Sequence, residues 1–132
     1  MRIGSAHKTA EHTLQLLRLY EADPRPKVYI TVAGRSNALS GFTDGAVSGP
    51  VIACPPPSDS FGGVDVFSSL RMPSAIAPAV VLEPANAALL AAKIIGVYDL
   101  QVRARVLAYQ QEQAAKVISD DAELGDYHHP GR

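Results

Sequence analysis

Val28-Tyr29-Ile30-Thr31-Val32-Ala33 is β-branched, aromatic and almost wholly apolar, and it stops at Gly34. No polar residue alternates with the apolar ones, so the pattern predicts a strand buried on both faces, the signature of a parallel sheet. Working outward, Pro50 to Cys54 predicts a second short strand, halted by Pro55, Pro56 and Pro57, and Ala79 to Leu82 a third. Helical patterns separate them. Thr9 is placed to cap a helix running to about Tyr20, with Ala10, Leu14 and Leu17 at helical spacing and Thr13, Leu16 and Tyr20 beside them. Asp23, Pro24, Arg25 and Pro26 end it, because proline cannot sit inside a helix. A short helix is expected between Gly34 and Gly49, and another near Val64 to Leu70. Glu83 and Pro84 open an alanine-rich helix, Ala85 to Ile95, and a longer one is expected from about Leu100 to Ile118, carrying Val102, Val106, Tyr109 and Val117. From Asp120 the chain turns polar, so residues 120–132 are expected to be a frayed tail behind a single domain of residues 1–119. A strand-helix-strand rhythm of this kind predicts an α/β fold with right-handed crossovers. Its ligand crevice lies beyond the carboxyl ends of the strands.

Composition narrows the function classes. The chain has 132 residues, a length of one domain, with 47% hydrophobic and 19% charged residues and a net charge of -1. There is no basic run and no aromatic-basic interleaving, which argues against a nucleic-acid partner. The longest apolar stretches, such as Ala87 to Ala92, are too short for a bilayer, and no apolar segment of signal-peptide type follows the first basic residue. The single cysteine, Cys54, excludes an internal disulfide and fits a reducing cytoplasm.

The crevice rule directs attention to three segments. Ser5-Ala6-His7-Lys8-Thr9 gathers a hydroxyl, an imidazole and an ammonium at a helix start, where free N–H groups and the helix dipole favour a phosphate. His7 has the chemistry to move a proton near neutral pH, or is a surface histidine beside an ordinary cap. Ala33-Gly34-Arg35-Ser36-Asn37 follows the first strand; its arginine suits an anion or carboxylate, or is a solvated loop side chain. Cys54 has no evident base and fits a buried structural thiol better than a nucleophile. Arg71, at the end of Ser68-Ser69-Leu70-Arg71-Met72-Pro73, also suits the helix dipole alone. His128 and His129 lack partners at metal spacing. The residues by themselves thus point to a phosphate-bearing small molecule, a proton-shuttling histidine and no metal, without fixing a reaction.

Taken in order, Ser5-Ala6-His7-Lys8, Ala33-Gly34-Arg35-Ser36-Asn37, Cys54-Pro55-Pro56 and Ser69-Leu70-Arg71-Met72-Pro73 resemble the phosphoribosylaminoimidazole carboxylase family, over about residues 2 to 110. Lys8 and Arg35-Ser36-Asn37 resemble its class II, which uses carbon dioxide directly; class I mutases usually carry arginine after the motif histidine and a Gly-Gly-Ala run in place of Arg35-Ser36. The resemblance implies a flavodoxin-like, three-layer parallel sheet with a long C-terminal helix. It also implies homo-oligomers, commonly octamers, with active sites between subunits. The implied reaction, in de novo purine biosynthesis, joins carbon dioxide to the imidazole ring of 5-aminoimidazole ribonucleotide with no ATP, biotin or metal. His7 matches the catalytic histidine, Ser5 and Lys8 match substrate-contacting positions, Ser36 matches a substrate-contacting serine, and Arg35 and Asn37 shape the class II pocket.

The family pattern begins with a strand and a Gly-Ser-x-Ser-Asp loop that grips phosphate and ribose, and no such segment precedes Arg2-Ile3-Gly4 in this sequence. In the family's strand order that strand lies between the second and third. Without it, two strands are expected to lack a neighbour, and a mis-called start codon or a truncated gene model is the expected reason. The alternatives carried alongside are a class I mutase, which moves a carboxyl group from the exocyclic amine to the ring, and a non-catalytic remnant.

Overall fold

The computed structural model describes residues 1–127, with side-chain surroundings defined to residue 124. The elements in order are α1 (Ala10–Glu21), β1 (Tyr29–Thr31), α2 (Ala38–Asp44), β2 (Val51–Ala53), a 3-10 segment (Ser60–Val66), α3 (Phe67–Leu70), β3 (Ala79–Val80), α4 (Pro84–Ile95) and α5 (Leu100–Tyr127). The strands form a parallel sheet in the order β1-β2-β3, with Tyr29, Ile30 and Thr31 opposite Val51, Ile52 and Ala53, and Ile52 and Ala53 opposite Ala79 and Val80. The expected parallel α/β architecture and long C-terminal helix are both present.

The register explains the layering. Side chains alternate faces along a strand. Ile52 packs with Ala87, Leu90, Ala91 and Ile94 of α4, so α4 covers one face. Thr31, opposite Ala53, bonds Ser40 of α2, so α2 covers the other. β2 is buried along its whole length because it lies between both layers and between two strands. β1 departs from expectation. Ile30 is 42% exposed and Val32 65%, so the apolar run that predicted burial on both faces is only half covered. The reason is position: among the described residues β1 pairs with β2 alone and its other edge is open, while residues 1–5 form no strand.

Two boundaries also differ from the pattern. α5 does not end near Ile118 but continues to Tyr127, because the stretch after Ile118 contains no proline and good helix formers such as Ala122, Glu123 and Leu124 outweigh the one glycine, Gly125. Val102 and Val106 are half-buried where α5 packs on α4, whereas Leu107, Val117, Ile118 and Leu124 are all more than half exposed. A helix of 28 residues spans about 42 Å. His128 and His129 lie outside the described residues.

Candidate active site

Which end of the sheet carries the site follows from the far end of α1. Glu21, the last residue of α1, accepts hydrogen bonds from the Tyr29 hydroxyl (2.7 Å) at the start of β1 and from the Ser48 N–H (2.9 Å) and hydroxyl (2.7 Å) just before β2. These three donors hold the Glu21 carboxylate down at about 2. Burial, and then the Glu21 carboxylate, push the Tyr29 phenol up. The carboxyl end of α1 is therefore tied to the amino ends of β1 and β2. Its amino end, with Ser5 to Thr9, must lie at the carboxyl edge of the sheet. The loop of residues 34–37 leaves β1 at that same edge, and so do Cys54 to Pro57 after β2.

The turn at residues 5–9 is held by its own chain. The Ser5 hydroxyl accepts the Lys8 N–H (3.1 Å), and the Thr9 hydroxyl accepts the Ser5 N–H (2.9 Å) and donates to the Ser5 carbonyl (3.3 Å). Thr9 does occupy the N-cap position of α1, but its side chain reaches back to Ser5 rather than capping the helix. Gly4 is required where the chain crosses α1, since a Cβ there would sit 2.6 Å from the Thr13 hydroxyl. His7 and Lys8 are exposed. An exposed imidazole and ammonium at a helix start are free to meet an anionic ligand.

The loop at residues 34–37 is held from outside itself. Arg35 (φ 59) and Asn37 (φ 30) both adopt left-handed backbone, which costs a residue with a side chain ~1–3 kcal/mol. Asn37 is buried, and its amide is engaged at both ends: Nδ2 donates to the Ser69 hydroxyl (2.6 Å) and Oδ1 accepts from the Ser40 hydroxyl (2.8 Å). Ser40 is in turn 2.8 Å from the Thr31 hydroxyl. The Ser68 hydroxyl lies 2.7 Å from the Arg35 carbonyl. Arg35 and Ser36 remain exposed and line a cavity of about 520 Å³ with Ser60, Phe61 and Asp65. Ser36 also lines a second cavity of about 300 Å³ that reaches Arg71 and Met72.

The structure thus groups the expected residues in two pieces. Arg35 and Ser36 face open cavities, and Ser5, His7 and Lys8 stand on an exposed turn at the same sheet edge. Asn37 is different: its amide is spent on the protein itself, so it shapes the pocket from beneath. Ser40, Thr31, Ser68 and Ser69 were not singled out from sequence. The Ser69-Leu70-Arg71-Met72-Pro73 motif points to Ser69 alone, and small hydroxyls carry no sign of burial. Cys54 is buried, its thiol 3.7 Å from the Leu82 carbonyl, and burial pushes it up, away from thiolate chemistry. Among the described residues no three His, Cys, Asp or Glu side chains gather as a metal site, and no helix is long and apolar enough to cross a membrane.

Residues 1–116 match the family model described as AIR carboxylase. The chain belongs to the AIR carboxylase family. It is 64% identical over 124 residues to the phosphoribosylaminoimidazole carboxylase of Treponema denticola, covering 94% of this chain and 78% of that relative. It is 53% identical over 124 residues to the enzyme of the same name from Archaeoglobus fulgidus, covering 94% of this chain and 68% of that one. The crystal structure of Treponema denticola PurE superposes with a TM-score of 0.91 at 64% identity, over 93% of this chain and 78% of that chain. Family membership and the parallel α/β fold therefore agree with the order of the four motifs. A carboxylase of lyase type is the class of enzyme these relatives represent.

Proposed function

We propose that this chain carboxylates 5-aminoimidazole ribonucleotide with carbon dioxide, without ATP, to give 4-carboxy-5-aminoimidazole ribonucleotide in purine biosynthesis. The enamine-like ring carbon attacks carbon dioxide, forming a carbon–carbon bond and a tetrahedral centre. That centre must lose its proton to recover aromaticity. His7 takes the proton and returns it in the reverse direction. Ser5 and Lys8 supply donors and positive charge to the substrate phosphate and to the developing carboxylate, the preorganised electrostatics that the reaction needs, while Ser36 contacts the bound substrate in the pocket that Arg35 shapes. Asn37 acts through the shape of its loop. Lys8 and Arg35-Ser36-Asn37 support carbon dioxide, rather than a carboxylated amine, as the carboxyl donor.

The observation that carries this proposal is the exposed Arg35–Ser36 loop lining an open cavity beyond the carboxyl end of β1, in a chain of the AIR carboxylase family that also exposes His7 and Lys8. A homo-oligomer in the cytoplasm, with sites completed between subunits, is part of the proposal. The test is turnover of aminoimidazole ribonucleotide in bicarbonate buffer without ATP, followed by the product's ultraviolet absorbance. Carboxylation that rises with dissolved carbon dioxide is the expected result. Turnover restricted to the substrate carboxylated on its exocyclic amine, with no dependence on carbon dioxide, would overturn it. Light scattering on the eluted peak checks the oligomer, for which a monomeric mass is the adverse outcome.

A further inference from the structure

We infer that Ser68 and Ser69 of α3 are positioning residues that clamp the Arg35–Ser36 loop into its ligand-facing shape; this rests on the function proposed above. The two serines grip the loop at consecutive points. The Ser68 hydroxyl lies 2.7 Å from the Arg35 carbonyl, and Ser69 Oγ accepts Asn37 Nδ2 at 2.6 Å. Ser36 lies between the two gripped residues and is the one that lines both cavities. Both neighbours of Ser36 are in left-handed backbone without being glycine, so local preference opposes this shape. Within the loop itself there is one backbone bond, Asn37 N–H to the Gly34 carbonyl at 3.2 Å. The shape persists because contacts from elsewhere over-determine it.

The donor order makes the clamp directional. A hydroxyl has one proton to give. Ser40 donates to Asn37 Oδ1, so Thr31 donates to Ser40, and the chain runs Thr31 to Ser40 to Asn37 to Ser69. All four residues are buried, so no solvent replaces a lost partner. Through this chain the strand β1, the helix α2 and the helix α3 agree on one orientation of the Asn37 amide. Thirty-two residues separate Asn37 from Ser69, which gives α3, an element that follows β2 in the chain, control over a loop it does not belong to. Ser68 divides its hydroxyl between the Arg35 and Asp65 carbonyls, tying the loop also to the wall that carries Asp65.

Substitution of the serines tests the clamp. Ser69→Ala should raise KM for aminoimidazole ribonucleotide on the order of tenfold with a much smaller change in kcat, because the Arg35–Ser36 contacts bind ground state and transition state alike. Ser68→Ala should do the same more weakly, and Ser69→Thr, which keeps the acceptor, should restore KM toward wild type. Equal losses in kcat and kcat/KM, or a lowered melting temperature with KM unchanged, would overturn the clamp. Wild-type turnover in the same assay tests the functional proposal separately. Should wild type be inactive, amide hydrogen exchange of the segment 34–37 decides the clamp without substrate. Faster exchange there in Ser69→Ala, with α4 unchanged, supports it, and unchanged exchange in the loop refutes it.

Discussion

The turn at residues 5–9 and the loop at residues 34–37 sit at the same edge of the sheet, yet they are built in opposite ways. The turn closes on itself through Ser5, Lys8 and Thr9, all within four residues of one another. The loop depends on Ser40, Ser68 and Ser69, two of them more than thirty residues distant. A side chain offered on a local turn can be replaced without disturbing the fold, whereas one held by a distant network cannot. The difference separates chemistry from architecture. On the proposed mechanism His7 moves a proton and needs freedom to meet it, whereas Arg35 and Ser36 serve recognition and need a fixed geometry, because a displaced recognition group loses most of its effect.

The largest test of this contrast is His7→Ala. On the proposed mechanism it should lower kcat by roughly 10²–10⁴, the range for loss of a general acid–base. Thermal melting should be unchanged, since the imidazole is exposed and forms none of the side-chain bonds of the turn. A fallen melting temperature would make His7 structural and break the contrast. Ser40→Ala comes next. It strands the Asn37 carbonyl oxygen in the interior and leaves the Thr31 hydroxyl only the Ile52 carbonyl at 3.4 Å, and should destabilise the protein by about 1–3 kcal/mol in urea unfolding. A neutral result would mean that the network does not hold the loop. Ser5→Ala removes a comparable hydroxyl from the locally closed turn, where water can substitute. It should cost only about 0.5–1 kcal/mol on the same measurement. If Ser5→Ala proves as costly as Ser40→Ala, the two regions are not built differently.

The smallest effect concerns the opposite edge of the sheet. Glu21 is held at about 2, below its ordinary 4.5, by its hydrogen bonds from Ser48 and Tyr29. Because the folded value is the lower one, the unfolded chain binds more protons over this range. The contribution is present above about pH 4.5 and is lost as the pH falls through about 2. Glu21 is accessible to water, so the effect is modest. Glu21→Gln should flatten the dependence of melting temperature on pH between those values, and an unaltered slope would show that the tether adds nothing.

Much of this protein is legible in its sequence. The three strands, the Asp23 to Pro26 break, the Glu83–Pro84 helix start and the parallel α/β class follow from apolar runs and proline, which act over a few residues. So did the candidate residues Ser5, His7, Lys8, Arg35 and Ser36, through motif order. The misreadings share one origin. Val28 to Ala33 has the composition of a central strand, but composition cannot tell which neighbours a strand has, and Ile30 and Val32 are exposed beside an open edge. The stretch after Asp120 lacks a core-facing stripe, yet the helix continues because no proline interrupts it and a single glycine costs only about 1 kcal/mol.

The sequence by itself therefore determined the class of fold, the family and the residue types offered at the crevice, because those are local properties of spacing and side-chain chemistry. Tertiary structure alone decided that Asn37 faces inward, that Ser40, Ser68 and Ser69 hold it, and that Arg35 and Ser36 are left facing open cavities. A hydroxyl or an amide is equally at home in water and in a buried network. Which of the two it occupies is set by partners that only folding brings within hydrogen-bond reach.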